Sequence, residues 1–256
     1  MKRNRKFKLL IGCLAMLLAS AFAVAQDAAK CVRSTSQPQS SSELERVLRQ
    51  MDKAASAFRS TEADFVWNQY QKVVNDTDIQ KGKIYFRRQD KEIQMAADIT
   101  EPDHKDITEP DHKYVLFSNG TVRVYQPRID QVTEYNAGKN RADLESFLVL
   151  GFGGSGHDLL KLYDVKYLGK EKVDGVEADK LELVPKSVKV RNNVARILLW
   201  IDPSRGVSVQ QQFFEPSGDY RLAKYSDIQL NPKLPDNVFK LKTTNKTKTI
   251  SPQTQS

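Results

Sequence analysis

Cysteine and histidine are both scarce, with two and three copies among 256 residues. Cys13 lies inside an apolar N-terminal run and only Cys31 follows it, so the remainder of the chain has no pair for an internal disulfide. A lone thiol in an oxidising compartment is left with intermolecular bonding, and no function is assigned to Cys31. The histidines are His104, His112 and His157, and the first two are copies of one position in a repeat. Asp103/His104 with Asp111/His112 has the chemistry of a metal site. A loop repeat lacks the fixed geometry that ligation needs, so no metal and no cofactor is expected. His157 follows a glycine run and reads as a helix-capping residue.

A basic surplus is also missing once the start of the chain is set aside. Lys2, Arg3, Arg5, Lys6 and Lys8 precede an apolar run from Leu9 to Val24, and Ala23-Val24-Ala25 has the small-x-small form of a signal-peptidase site. Residues 1–25 therefore read as a signal peptide cleaved after Ala25, with an uncleaved anchor as the alternative. Leu10-Ile11-Gly12-Cys13 spells an acylation signal but lies too early in the run. Removing these five charges from the formal +8 leaves +3, too weak a balance to argue for nucleic acid. The expected compartment is the periplasm.

Catalytic and phosphate-binding motifs fail their context. Gly151, Gly153 and Gly156 fit G-x-G-x-x-G, but they follow a helical pattern rather than a strand. His157 and Asp158 stand where a P-loop needs Lys and Ser/Thr. Gly153-Gly154-Ser155-Gly156 is not a nucleophile elbow in a strand-to-helix setting. A glycosidase carboxylate pair stays open, with nothing pointing to one. The glycine run is read instead as a hinge for a helical cover, and no enzyme activity is expected.

What the sequence does contain is alternation. Leu44, Val47, Leu48, Met51, Ala55 and Phe58 form one stripe of an amphipathic helix after a polar leader, residues 26–42, that reads as disordered. Period-two segments follow over 62–74, 80–88, 92–97, 114–118, 121–126 and 131–135, with Asn119-Gly120 as a hairpin turn. Leu144, Phe147 and Leu148 restore helical spacing, and a short helix is predicted from His157 to Tyr163. Strands resume over 163–173, 177–184, 195–202, 207–215, 219–229 and 237–242, before a polar tail, 243–256, that reads as disordered. The fold class is mainly β with a helical cover. A single curled antiparallel sheet of about eleven strands, an incomplete β-barrel, is closed by the N-terminal helix and one or two central helices around an apolar cavity. Asp98–Lys105 recurs unchanged as Asp106–Lys113, which reads as an in-frame duplication within one inter-strand connection.

These pieces come in a telling order. The amphipathic helix runs into "STEADFVWNQY", followed by "KGKIYFRR", "PDHKYVLFSNGTVRVYQP", "IDQVTEY", "LELVPKS", "ILLWIDPSRGVSVQQQFFEPSGD" and "LPDNVFKLK". Over residues 43–242 the chain resembles the periplasmic carriers of outer-membrane lipoproteins, the LolA-like family. The resemblance implies a half-open barrel whose cavity shelters acyl chains, an acylated lipoprotein or other lipid as cargo, an inner-membrane donor and an outer-membrane acceptor. A monomer is expected. It also implies an arginine that holds the cover; this matches Arg88, or Arg87 if the register shifts by one. Gln89 stands where the family has proline. By parity the cavity wall is assigned to Phe65, Trp67, Ile84, Phe86, Met95, Leu181, Leu183, Ile197, Leu199, Ile201, Val209 and Phe213. The cover is assigned to Leu48, Met51, Phe58, Phe147 and Leu148. A same-fold envelope sensor of acylated ligands, or a lipid hydrolase, are the alternative functions.

Overall fold

The structure is a computed structural model that describes residues 37–89, 92–100, 112–138 and 141–251. Helix α1 (Gln37–Ala57) leads into strands β1 (Ser60–Gln71), β2 (Asp76–Gln89), β3 (Glu92–Thr100), β4 (His112–Ser118), β5 (Thr121–Gln126) and β6 (Gln131–Asn136). Helices α2 (Arg141–Leu148) and α3 (Gly156–Leu162) come next. The chain then forms β7 (Tyr163–Val173), β8 (Val176–Pro185), a short α4 (Val188–Arg191), β9 (Arg196–Asp202), β10 (Val207–Phe214), β11 (Tyr220–Leu230) and β12 (Lys248–Ile250). Residues 1–25, read as a signal peptide, together with Cys31, His104 and most of the repeat lie outside the described residues.

The strands make one sheet in the order β12-β6-β5-β4-β3-β2-β1-β11-β10-β9-β8-β7, antiparallel throughout except for β12 on β6. Two meanders meet at the β1–β11 seam. This order fixes the place of the cover. The chain leaves the sheet at one side after β6 and re-enters at the opposite edge with β7, so the segment carrying α2 and α3 has to cross a face of the sheet. Short turns explain the rest. Asn119 and Gly120 both take positive φ, 51° and 71°, and close the two-residue β4–β5 hairpin.

One face carries two clusters beneath the helices, and the other face carries two smaller ones. On the outer face Leu198, Trp200, Val173, Ala178 and Val209 pack together. The assignment of Val209 to the cavity wall is therefore wrong. The register of β10 on β9 shifts between Ser208 and Gln210, and this bulge inserts Val209 as an extra residue that points outward.

Three boundary expectations also change. Helix α1 starts at Gln37, inside the stretch read as a disordered leader; Pro38 falls in the first turn, where its missing N–H has no helical partner to lose. Residues 237–242 do not form a strand. Pro235 cannot donate to a ladder, and Asp236–Phe239 winds into a 3-10 turn whose Val238 and Phe239, with Leu241 just after it, pack on Ala96 and Leu116 of the outer face. The tail is ordered as far as Ser251. Lys248–Ile250 pairs with β6, and the Thr244 and Thr247 hydroxyls donate to the Asp130 carboxylate at 2.8 and 2.6 Å, so the tail covers a strand that would otherwise be an edge.

The repeat begins in β3 and ends in β4, with Thr100 paired to His112 and Ile99 to Lys113. Because the copies are identical, deleting Asp98–Lys105 puts Asp-Ile-Thr back at the end of β3 and leaves Glu-Pro-Asp before the histidine, a three-residue hairpin loop. The deletion is expected to keep the β3–β4 register and to leave stability unchanged or raised by about 1 kcal/mol from the shorter closure. Urea unfolding checks this; a loss of cooperative folding would show that the second copy has a structural task.

Candidate functional site

The helix-covered face divides into a filled half and an unfilled half. Over β7–β9, Val47 and Met51 of α1 and Leu159 of α3 pack on Leu181, Leu183, Ile197, Leu199 and Ile201, all five of which are fully buried. An ion pair fixes this contact. Arg46 donates to both carboxylate oxygens of the buried Asp179, at 3.0 and 2.7 Å, and Tyr167 donates to the same carboxylate at 3.1 Å. Burial, then that hydrogen bond, pushes the Tyr167 phenol up to about 12. The Asp179 hydrogen bond holds the Arg46 guanidinium above its ordinary range despite partial burial.

Over β1–β4 and β10–β11 the side chains do not close up. A cavity of about 200 Å³ is left between the sheet and α2, walled by Trp67, Ile84, Phe86, Met95, Val115 and Phe213 among others. Phe147, Leu148 and Phe152 roof it. Phe152 lies 5.4 Å from the ring of Phe86 and meets Tyr225 edge-on at 4.7 Å, while Phe147 lies 4.9 Å from Phe213. The wall has a short polar strip: Tyr225 Oη donates to Gln211 Oε1 at 3.2 Å, and Gln211 Nε2 donates to the carbonyl of Leu150 at 2.6 Å.

The roof is tied down by a few bonds. Arg88 shares the parity of Ile84 and Phe86, and its guanidinium donates to the carbonyls of Ala55 and Gly153 at 3.1 and 3.0 Å, over the ring of Phe58. Arg87 points to the outer face, where it donates to Gln94 and Asp236 and stacks on Phe239. The Ser208 amide donates to the Gly151 carbonyl at 2.8 Å. The glycine run is therefore a packed and bonded strap, not a free hinge. A Cβ on Gly156 would collide with the Leu48 carbonyl oxygen, and one on Gly153 would enter the Phe58 ring at 2.5 Å. Glycine lets the strap lie against α1.

His157 does more than cap. Its Nδ1 bonds Asp52 of α1 and its Nε2 lies 3.2 Å from Glu45, while Ser155, the N-cap of α3, donates to Asp52 at 2.6 Å. The Asp52 hydrogen bond, with Glu45 assisting, raises the imidazole above 6.5 against a small desolvation cost. Partial burial works to raise Asp52, and the bonds from Ser155 and His157 outweigh it and hold the carboxyl low. Serine is bonded to aspartate rather than to histidine, so the three do not form a nucleophilic relay.

Five residues assigned to the cavity wall line the cavity: Trp67, Ile84, Phe86, Met95 and Phe213. Phe65 lies beside Trp67 at 4.7 Å in the packed cluster below. Leu181, Leu183, Ile197, Leu199 and Ile201 face the same way but are covered by α1, so they are core and not wall. Among the cover residues, Phe147 and Leu148 roof the cavity, Leu48 and Met51 are buried on α1, and Phe58 packs under the strap. Sequence reasoning missed seven lining residues, Ala97, Val115, Phe152, Gln211, Arg221, Ala223 and Tyr225. Phe152 stands between glycines, where no period can register. On β11 the alternation Arg221-Ala223-Tyr225 gives the cavity side the less hydrophobic set. Among the described residues no group of His, Cys, Asp and Glu could hold a metal ion, and no helix is long and apolar enough to cross a membrane.

The family model described as outer membrane lipoprotein carrier protein LolA matches residues 56–242. No curated protein matches the chain. An uncharacterised conserved protein from Thermus thermophilus superposes with a TM-score of 0.51 at 11% identity, covering 82% of this chain and 99% of that one. A LolA-superfamily protein from Nitrosomonas europaea gives 0.38 at 16%, with coverage of 77% and 97%. The MucA/MucB complex from Pseudomonas aeruginosa gives 0.43 at 14%, with coverage of 78% and 61%. At these identities the likeness is one of fold.

Two outcomes follow from the bonds of the roof. Arg88→Met is expected to cost about 1 kcal/mol, because the arginine is exposed, and to speed amide exchange selectively over residues 149–156. Uniform acceleration across α1 and the strap would show no special hold at Arg88. His157 has a folded value above its unfolded one, so its tether is fully present below about pH 6.5 and is lost as pH rises through the raised value. Asp52 and Glu45 are the charges that bond it; Arg49 in turn pairs with Glu45, and the neighbouring Asp158 with Lys161. The gap between the thermal melts of His157→Gln and of the unmodified chain should be widest toward pH about 6 and narrow as pH rises through the raised value.

Proposed function

The chain belongs to the family of outer membrane lipoprotein carrier proteins, and from that premise we propose that it carries acylated cargo across the periplasm without catalysis. The observation that carries this reading is the cavity under α2: a space with predominantly apolar walls, roofed by Phe147, Leu148 and Phe152, that the chain's own side chains leave unfilled. Interiors normally close to crystal-like density, so an apolar void of this size is kept at a cost to stability.

The energetics suit a carrier. Burying an acyl chain is worth about 0.8 kcal/mol per CH₂, so a 16-carbon chain is worth roughly 12 kcal/mol in a membrane or in a good cavity alike. A carrier must give its cargo up, so its cavity must not greatly exceed the acceptor. A volume of about 200 Å³ is below the usual range for small-molecule sites, so a full chain enters only as the roof lifts. Arg88 is the latch in this scheme, since its two bonds join α1 and the strap at the end of the cavity. The family name supports an acylated cargo, a lipoprotein or a related lipid; the basic and apolar N-terminus supports export. Delivery from an inner-membrane donor to an outer-membrane acceptor is the route this cargo implies.

Filling the void separates a binding cavity from a packing defect. Val115→Phe places a ring into the space and is expected to leave the melting temperature unchanged or raised, while binding of a fluorescent acyl probe falls at least about tenfold. Undiminished binding by a stably folded Val115→Phe chain would remove the cavity as the cargo site.

A further inference from the structure

The residues that line the cavity carry a single charge, that of Arg221. This arginine is exposed at the N-terminal end of β11, so it marks the mouth rather than the floor. Its guanidinium lies 5.9 Å from the ring centre of Phe213, which in turn meets Phe147 of the roof. Among the described residues no carboxylate lies within ion-pair distance of it, whereas Arg46, Arg87, Arg123, Arg141, Arg196 and Arg205 are each paired. Its cross-strand neighbours are Gln69 and Phe213, both neutral. The acid next along that row, Asp78, faces Gln69 from a strand further on, about 10 Å away by strand spacing.

We propose that Arg221 binds the anionic head of an amphiphile whose acyl chain occupies the cavity, so that the protein selects acyl ligands with a carboxylate or phosphate next to the chain. This rests on the reading of the cavity as an acyl site. Apolar walls grip any chain of a given length equally, so they cannot discriminate between lipids. A planar fork with two parallel donors recognises a carboxylate or phosphate directionally. Phe213 and Phe147 shield one side of that pair from water, which strengthens it relative to an open surface contact.

The test uses the delipidated chain lacking residues 1–25 and displacement of a fluorescent acyl probe by three ligands of equal chain length: hexadecanoate, a lysophosphatidate and a neutral monoacylglycerol. The unmodified protein should prefer the anionic ligands about tenfold, with the preference shrinking as salt is added. Arg221→Gln should remove the preference by weakening the anionic ligands alone, and Arg221→Lys should restore part of it. Whichever anion loses more identifies carboxylate or phosphate as the natural head. Equal weakening of all three ligands, or no preference in the unmodified protein, would reduce Arg221 to a packing partner of Phe213 and overturn the assignment. If no ligand of any charge displaces the probe, the acyl-cavity reading itself falls, and the head-group assignment with it.

Discussion

Asp179 is fully buried, and Arg46 reaches it from α1 with both terminal nitrogens while Tyr167 supplies a third donor. Separating them would leave a carboxylate without its counter-charge in an apolar surround, which costs far more than any exposed pair. That bond holds α1 over β7–β9, where Val47 and Met51 fill the face. Only its C-terminal end, at Ala54 and Ala55, reaches the cluster over β1–β4. A twelve-stranded sheet has more apolar face than one helix can shield, and α1 is committed to one half of it. The other half is left to α2 and the strap, which are shorter, and the cavity is what they leave open.

The two halves are therefore held by different kinds of force. The filled half depends on close packing and a buried charge pair, both of which resist small displacements. The roof depends on hydrogen bonds to backbone carbonyls, from Arg88 to Gly153 and from Gln211 to Leu150, and on ring contacts of Phe147 and Phe152. Arg88 is exposed, so its bonds can exchange with water, whereas the Gln211 bond is buried and resists opening. His157 and Ser155 join α3 to α1 through Asp52, which puts the far end of the crossing segment on the rigid side.

Much of this was legible in the sequence, and the failures share a cause. Period-two alternation placed Ile84, Phe86 and Arg88 together and Arg87 on the reverse side, because a regular strand transmits parity without error. At Val209 one inserted residue broke the period, and nothing in "VSVQQQFF" announces the bulge. Leu181, Leu183, Ile197, Leu199 and Ile201 were placed on the correct face but given the wrong neighbour. Which part of a face is covered depends on Arg46 meeting Asp179, a contact between residues 133 apart in the chain. Local pattern cannot contain it. The glycines of "GFGGSG" were recognisable as special, but flexibility and close approach both call for glycine, and only the positions of Leu48 and Phe58 decide between them.

The cavity has to satisfy opposed demands, and its composition shows how. A wall of side chains alone would hold any acyl chain in proportion to its length and release it only when the acceptor offered as much apolar contact. The polar strip of Gln211 and Tyr225 interrupts that wall, and the Gln211 amide is engaged by the strap it helps to hold. A guest that lifts the strap breaks this bond and exposes a polar group inside an apolar space, a penalty of about 1–3 kcal/mol set against the chain it admits. In the proposed scheme affinity would be lowered at this bond, not along the whole wall. On the carrier reading, a wall that is apolar apart from this strip would hold its cargo less tightly than an unbroken apolar wall.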